Sequence, residues 1–239
     1  VSDLYRYLRQ QRELHGDILY VEHDVMRRVT LASQGLVETA VGVVDEAWKG
    51  AGDLAQLRGM ICDCHKCSLG DTRKSFVFGV GNPEADIVLV GEAPGAEEDK
   101  QGEPFVGRAG QLLNQILEAI KLKREEVYIC NILKCRPPNN RDPLPDEVGH
   151  CEPYLHKQLE LLRPKIMLAL GRIAAQTLLR STDTLGTLRA KVHEYRGIPL
   201  MVTYHPAALL RNPNWKKDTW ADVQKFRAMY DALRAEGGD

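Results

Sequence analysis

From residue 85 onward the chain alternates between two kinds of apolar pattern. Short unbroken runs, ADIVLVG (85–91), EVYICNIL (126–133), KIMLALG (165–171) and IPLMVTYH (198–205), have the length and β-branched content of buried strands. Between and after them, GRAGQLLNQILEAI (107–120), PDEVGHCEPYLHKQLELL (145–162), RIAAQTLL (172–179) and DTWADVQKFRAMYDALRAE (218–236) space their apolar residues as helices. Strand and helix in strict rotation predict an α/β fold: a three-layer α/β/α sandwich around a four-stranded parallel sheet. Ligands of such folds bind beyond the carboxyl ends of the strands. GEAPG (91–95), CNILKCRPPNNRDP (130–143) and HPAALLRNP (205–213) each begin where a strand ends, so they are expected to converge on one crevice.

Residues 1–58 follow a different pattern. DLYRYLRQQREL (3–14) and LVETAVGVVDEAWKGAGDLAQLRGM (36–60) have helical spacing, joined by an irregular stretch. The expected organisation is a helical N-terminal extension over 1–58 and an α/β domain over 59–239. The 239 residues are 44% hydrophobic, enough for one sizeable core. A net charge of −1 argues against a wholly basic nucleic-acid binder but allows a local basic face. No apolar run approaches the roughly 20 residues that cross a membrane. The charged N-terminus does not resemble a secretory leader, so a cytoplasmic protein with no membrane partner is the expectation.

In that compartment the six cysteines are expected to be reduced, which directs attention to metal ligation. Cys64 and Cys67 are separated by two residues, and Cys135 and Cys151 bracket the proline-rich RPPNNRDPLPDEVGH. Four thiolates suit an iron–sulfur cluster or a tetrahedral zinc equally, and spacing alone does not choose between them. Cys62 is an alternative to Cys64, although the two-residue gap favours Cys64. Cys130, inside a strand run, reads as a small core residue.

The strand-end segments carry the other candidate chemistry. Gly91 and Gly95 permit close backbone approach to a ligand. The turn can cradle a phosphate, but it lacks the P-loop lysine and the GxGxxG order. Phe105 lies in a polar, glycine-flanked loop, either as a buried anchor or as a surface on which a base stacks. Asn131 is polar within an apolar run and, if buried, needs partners. Its carboxamide presents an acceptor beside a donor, which matches the N3–H and O4 edge of uracil; tying down a loop is the plainer alternative. His205, read singly, is as well explained by capping or packing.

As a set, GEAPGAEEDKQGEPFVGRAGQLL, NILKCRPPNNRDPLPDEV…C and HPAALLRNP resemble the family 4 uracil-DNA glycosylases, the iron–sulfur branch of their superfamily, over roughly residues 60–235. The resemblance implies a prokaryotic base-excision-repair enzyme that acts on uracil-containing DNA, as a monomer. It implies that Cys64, Cys67, Cys135 and Cys151 hold a structural [4Fe–4S] cluster, with zinc the lesser alternative. Glu92 and His205 would be catalytic, with Gly91 and Ala93 completing the first motif. Phe105 would stack on the flipped uracil, Asn131 would read its edge, and Glu98 would lie near C5. Leu209 or Leu210 would press into the duplex beside Arg211, and Lys134, Arg136, Arg141, Lys216 and Lys217 would supply local positive charge. The rival readings are a uracil-DNA binder that does not turn over and a polymerase-associated DNA-binding module with a structural metal.

Overall fold

The computed structural model describes residues 46–236. The expected helix at 3–14, the irregular join, and the 36–60 helix before residue 46 lie outside the described residues. Within them the 36–60 run is not one helix. A 3-10 turn, Ala47–Gly50, precedes helix α1, Leu54–Ile61. Gly50 and Gly52 disfavour helix, and Asp53 caps α1 by accepting from the Gln56 amide at 2.7 Å. Gln56 Oε1 in turn accepts from the Gly52 amide at 2.7 Å. Trp48, Ala51 and Leu57, all before residue 59, are buried in the core.

The remaining elements are α2 (Leu69–Thr72), β1 (Val80–Gly81), β2 (Ile87–Gly91), α3 (Ala96–Gln101), α4 (Arg108–Ala119), β3 (Tyr128–Asn131), α5 (Pro145–Leu162) and β4 (Ile166–Leu170). They continue as α6 (Arg172–Leu179), α7 (Leu185–Arg189), β5 (His193–Tyr195), β6 (Ile198–Thr203), α8 (Pro206–Arg211) and α9 (Lys216–Glu236). One sheet runs in the order β1-β3-β2-β4-β6-β5. The four strands expected from the sequence are β3, β2, β4 and β6, and they pair in parallel. The sheet has six strands rather than four, because β1 and β5 add antiparallel edges. These edges are two and three residues long, VG and HEY, with no apolar run to announce them. A two-residue loop, Arg196-Gly197, joins β5 to β6; both residues have positive φ, 54° and 83°, as a tight hairpin requires.

Side chains alternate across the sheet into two apolar clusters. Val88, Val90, Met167, Ala169, Leu200 and Val202 pack with α1, α5 and α6 through Leu57, Leu155 and Leu178. Ile87, Leu89, Ile129, Leu168 and Met201 pack with α4 and α9 through Leu113, Leu117, Val223 and Phe226. Neighbouring strands β2 and β4 therefore send the chain to opposite faces. Their carboxyl ends part there, which is the topological condition for a crevice.

Candidate active site and cysteine group

A cavity of about 640 Å³ opens at that switch point. It is lined by residues from the ends of all four parallel strands: Glu92 and Ala93 after β2, Asn131 ending β3, Gly171 and Arg172 after β4, and Tyr204 and His205 after β6. Of the residues named from the sequence, Glu92, Ala93, Gly95, Glu98, Phe105, Asn131, Arg141, His205 and Arg211 line it together. Gly91 lies directly behind. A Cβ there would sit 2.4 Å from Asn131 Oδ1 and 2.8 Å from the Phe105 ring, so only glycine lets those two approach the strand end.

Phe105 is buried at φ 54°, and its ring stacks on His205 with centroids 5.3 Å apart. Glu98 secures the chain just beyond it: its Oε1 accepts from the Val106 amide at 2.9 Å and the Gly107 amide at 3.0 Å. Asn131 is 2% exposed, and its Oδ1 is buried with no hydrogen-bond partner. A buried acceptor left unmet costs about 1–3 kcal/mol, and the residue that carries it lines the cavity.

His205 ends the β6 segment and N-caps α8. Within the HPAALLRNP segment, Pro206–Arg211 form a helix that the apolar spacing did not announce. Pro206 occupies its first position with φ preset, Ala207 to Arg211 are good helix formers, and Asn212-Pro213 ends it. The Ala207 amide donates to His205 Nδ1 at 3.1 Å. Nδ1 is therefore the lone-pair nitrogen, and the neutral ring carries its proton on Nε2. Burial, with Arg211 nearby, pulls the His205 pKa down to about 4 against the opposing pull of Glu98. Glu92 moves the other way: burial, then Asp142, raises it to about 7, against Arg172 and Arg211. Gly171, at φ 95°, passes under His205; a Cβ would meet the His205 Cβ at 2.8 Å.

The structure revises the expected DNA-contacting residues. Leu209 is 1% exposed, because the α8 turn points it inward beside Leu112, Ile116 and Val223. It is not available to DNA. Leu210, the next residue round the helix, is 39% exposed. Lys134 is fully buried, so it faces no phosphate. Arg141 is committed to Glu147 through two hydrogen bonds, and Arg136 donates to Asn140. Arg211, Lys216 and Lys217 are exposed, and among the described residues none of them has a carboxylate within ion-pair distance.

Sequence reasoning missed Arg172, which pairs with Asp142 at 2.9 Å on the cavity wall, and the aromatic pair Tyr204 and Trp215. Both were within reach of the strand-end rule. Arg172 directly follows the end of the KIMLALG run, and Tyr204 directly precedes His205.

Behind β3 the cysteines gather. Cys64, Cys67, Cys135 and Cys151 interact electrostatically with one another. Burial pushes the Cys135 thiol up to about 11 and the Cys151 thiol up to about 12. Donors point at the sulfurs: Tyr154 Oη to Cys64 at 3.2 Å, the Lys134 amide to Cys151 at 3.2 Å, and Arg73 to Cys135 at 3.5 Å. Cys62 instead turns to the Gly59 carbonyl, and Cys130 is buried in β3. Lys134 Nζ donates to the Asn131 carbonyl at 2.8 Å and to Gln158 at 2.6 Å. Burial pulls the Lys134 pKa down, against the opposing pull of the Cys130, Cys151 and Cys135 sulfurs. Among the described residues, no three His, Cys, Asp or Glu side chains are spaced to hold a single metal ion.

A family model described as the uracil DNA glycosylase superfamily matches residues 78–227. A type-4 uracil-DNA glycosylase of Archaeoglobus fulgidus is 48% identical over 174 residues, covering 70% of this chain and 87% of that one. Those of Sulfurisphaera tokodaii and Pyrobaculum aerophilum are each 43% identical, over 185 and 182 residues. They cover 74% and 73% of this chain, and 84% and 93% of their own. With its cavity at the strand ends and these matches across most of its length, the chain belongs to the uracil-DNA glycosylase superfamily, in the type-4 branch.

Proposed function

We propose that this protein is a DNA-repair hydrolase that cleaves the N-glycosidic bond of uracil in DNA and leaves an abasic site. The observation that carries the reading is the unpartnered, buried Oδ1 of Asn131, a residue that lines the cavity and packs against Gly91. It calls for a donor from the ligand. The N3–H of uracil meets that need while O4 accepts from the same carboxamide; cytosine, with an unprotonated N3, does not.

The target bond lies inside the base stack, so the nucleotide is extruded, at a cost of a few kcal/mol. Leu210 enters the vacated space as an apolar wedge, and Arg211, Lys216 and Lys217 meet phosphates. Phe105 forms an aromatic wall for the uracil ring, and Glu98 holds the loop that places it. Bond cleavage puts negative charge on uracil, chiefly at O2. His205 stabilises that charge as a neutral Nε2–H donor, since Nδ1 is engaged and its pKa is about 4. A preorganised donor of this kind contributes about 2.7–4 kcal/mol. Glu92, near pKa 7, orients water and faces the sugar's positive charge in its ionised form.

The residues fit an iron–sulfur cluster. Four cysteines from three segments converge, three donors aim at their sulfurs, and the buried Lys134 lies within electrostatic reach of Cys135 and Cys151. Ligands of a single zinc would all lie about 2.3 Å from one point; a [4Fe–4S] cubane takes one thiolate at each of four corners, a wider set. When bound, the cluster acts as a structural staple between the Cys64–Cys67 turn, the chain after β3, and α5. The catalytic domain, read as 59–239 and as a three-layer sandwich, takes in the packed residues from 46 onward. The enzyme acts as a cytoplasmic monomer. The non-turnover binder and the polymerase-associated module gain nothing from a site in which Glu92, Phe105, Asn131 and His205 meet in one cavity.

The test is incubation with an end-labelled uracil oligonucleotide followed by alkali. Strand cleavage with multiple turnovers is expected, and His205→Ala should lower the rate about 100- to 1,000-fold with DNA binding retained. Stoichiometric trapping, or equal loss of binding and rate, would overturn the assignment.

A further inference from the structure

Tyr204 and Trp215 have no role in the steps above, yet both line the mouth of the cavity. Their rings are stacked nearly in parallel, 4.7 Å apart at 8°. The Arg189 guanidinium lies 4.3 Å from the Tyr204 centroid. Two flat groups at that range cannot share one face of a ring, so Tyr204 is covered on both sides. Arg189 is fixed in turn by Asp222, at 2.7 and 3.0 Å, and Asp222 also accepts from Thr203 Oγ1 at 2.7 Å. The column Arg189–Tyr204–Trp215 is therefore braced on the end of β6 and on α9. It terminates in an indole that is 37% exposed and, among the described residues, stacks on no other ring.

A braced column that ends in a partly exposed indole, between a nucleotide-sized cavity and exposed cations, has the form of a single-strand stacking platform. Lys216 and Lys217 follow Trp215 directly, and the exposed Leu210 lies five residues before it. Packing alone does not require tryptophan here, since more than a third of the side chain meets solvent.

We infer that Trp215 is a second base-binding site, taking by stacking the nucleobase next to the extruded nucleotide. The inference rests on the DNA-glycosylase reading of the cavity and extends it to a neighbouring base. Because stacking is indifferent to base identity, the site would hold any neighbour but require that one be present.

The test pairs a protein change with a DNA change. Binding is measured by fluorescence anisotropy on single-stranded uracil oligonucleotides carrying either normal neighbours or a tetrahydrofuran abasic unit on the 5′ or the 3′ side. Uracil release is followed in parallel. For one of the two sides, the abasic neighbour should weaken wild-type binding about 5- to 150-fold, the range of one base–aromatic stack. Trp215→Ala should weaken binding to the complete oligonucleotide by a similar factor, yet lose little more on the abasic one. Trp215→Phe should restore most of the loss, which separates stacking from misfolding. Trp220→Ala, an exposed tryptophan outside the cavity lining, should change nothing. Additive losses on both sides, or no loss with Trp215→Ala, would overturn the inference. Should wild-type protein bind but release no uracil, the glycosylase reading fails while the binding data still decide the platform.

Discussion

His205 shows how one backbone hydrogen bond selects a tautomer. As the N-cap of α8 it accepts the Ala207 amide on Nδ1, and that contact places the ring proton on Nε2. Its low pKa, about 4, keeps the ring neutral throughout the physiological range. Glu92, raised to about 7, is the group that titrates there. The dependence on pH follows. Activity through ionised Glu92 should rise across pH 7 and level off above it, and Glu92→Gln should remove that limb along with most of the rate. For stability the sign is opposite. A carboxyl whose folded pKa exceeds its usual 4.5 binds its proton more tightly when folded, so its contribution falls as pH rises from about 4.5 through 7. Glu92→Gln should flatten that part of the stability curve, as measured by denaturant unfolding at several pH values. A limb near pH 6.5 that survives in Glu92→Gln would instead assign the titration to an unperturbed histidine.

Elements differ in how plainly the sequence announces them. The four parallel strands were legible because a strand buried on both faces is a continuous apolar run, and ADIVLVG or KIMLALG fits little else of that length. β1 and β5 were not, since a two- or three-residue edge strand is created by its neighbour rather than by its own composition. Helix α8 was not legible, being six residues long with prolines at both ends, although proline at the first helical position favours the helix. Which of the two leucines is free was hidden with it, for only helical geometry sends Leu209 inward and Leu210 outward. Likewise, burial of Lys134 beside the cysteines is a tertiary fact that its place in a basic loop could not convey. Gly171 ends β4 in a conformation closed to other residues and lies under His205. Gly171→Ala should cost about 1 kcal/mol or more, hence roughly 2–4 °C in Tm, and should lower kcat at least tenfold by displacing the imidazole. Unchanged kcat with the same loss of Tm would show that the glycine serves the backbone alone.

At the scale of the molecule, topology makes the site. Chain leaving β2 and β4 for opposite faces opens the crevice, and four strand ends deliver an acid, an amide, an arginine and an imidazole to it. The cysteine group lies behind that wall, linked to it through Lys134, whose Nζ holds the Asn131 carbonyl. Anaerobically purified protein should carry a brown [4Fe–4S] cluster. Cys151→Ser should lose iron and melt well below the wild type by circular dichroism; an iron-free chain melting with the wild type would remove the staple from the account. The crevice itself is tested most directly by its unmet acceptor, Asn131 Oδ1. Release of the base should be compared between oligonucleotides bearing uracil and 3-methyluracil at one position. The account predicts turnover on uracil and at least about a hundredfold loss when a methyl replaces N3–H. Equal release of both bases would contradict it.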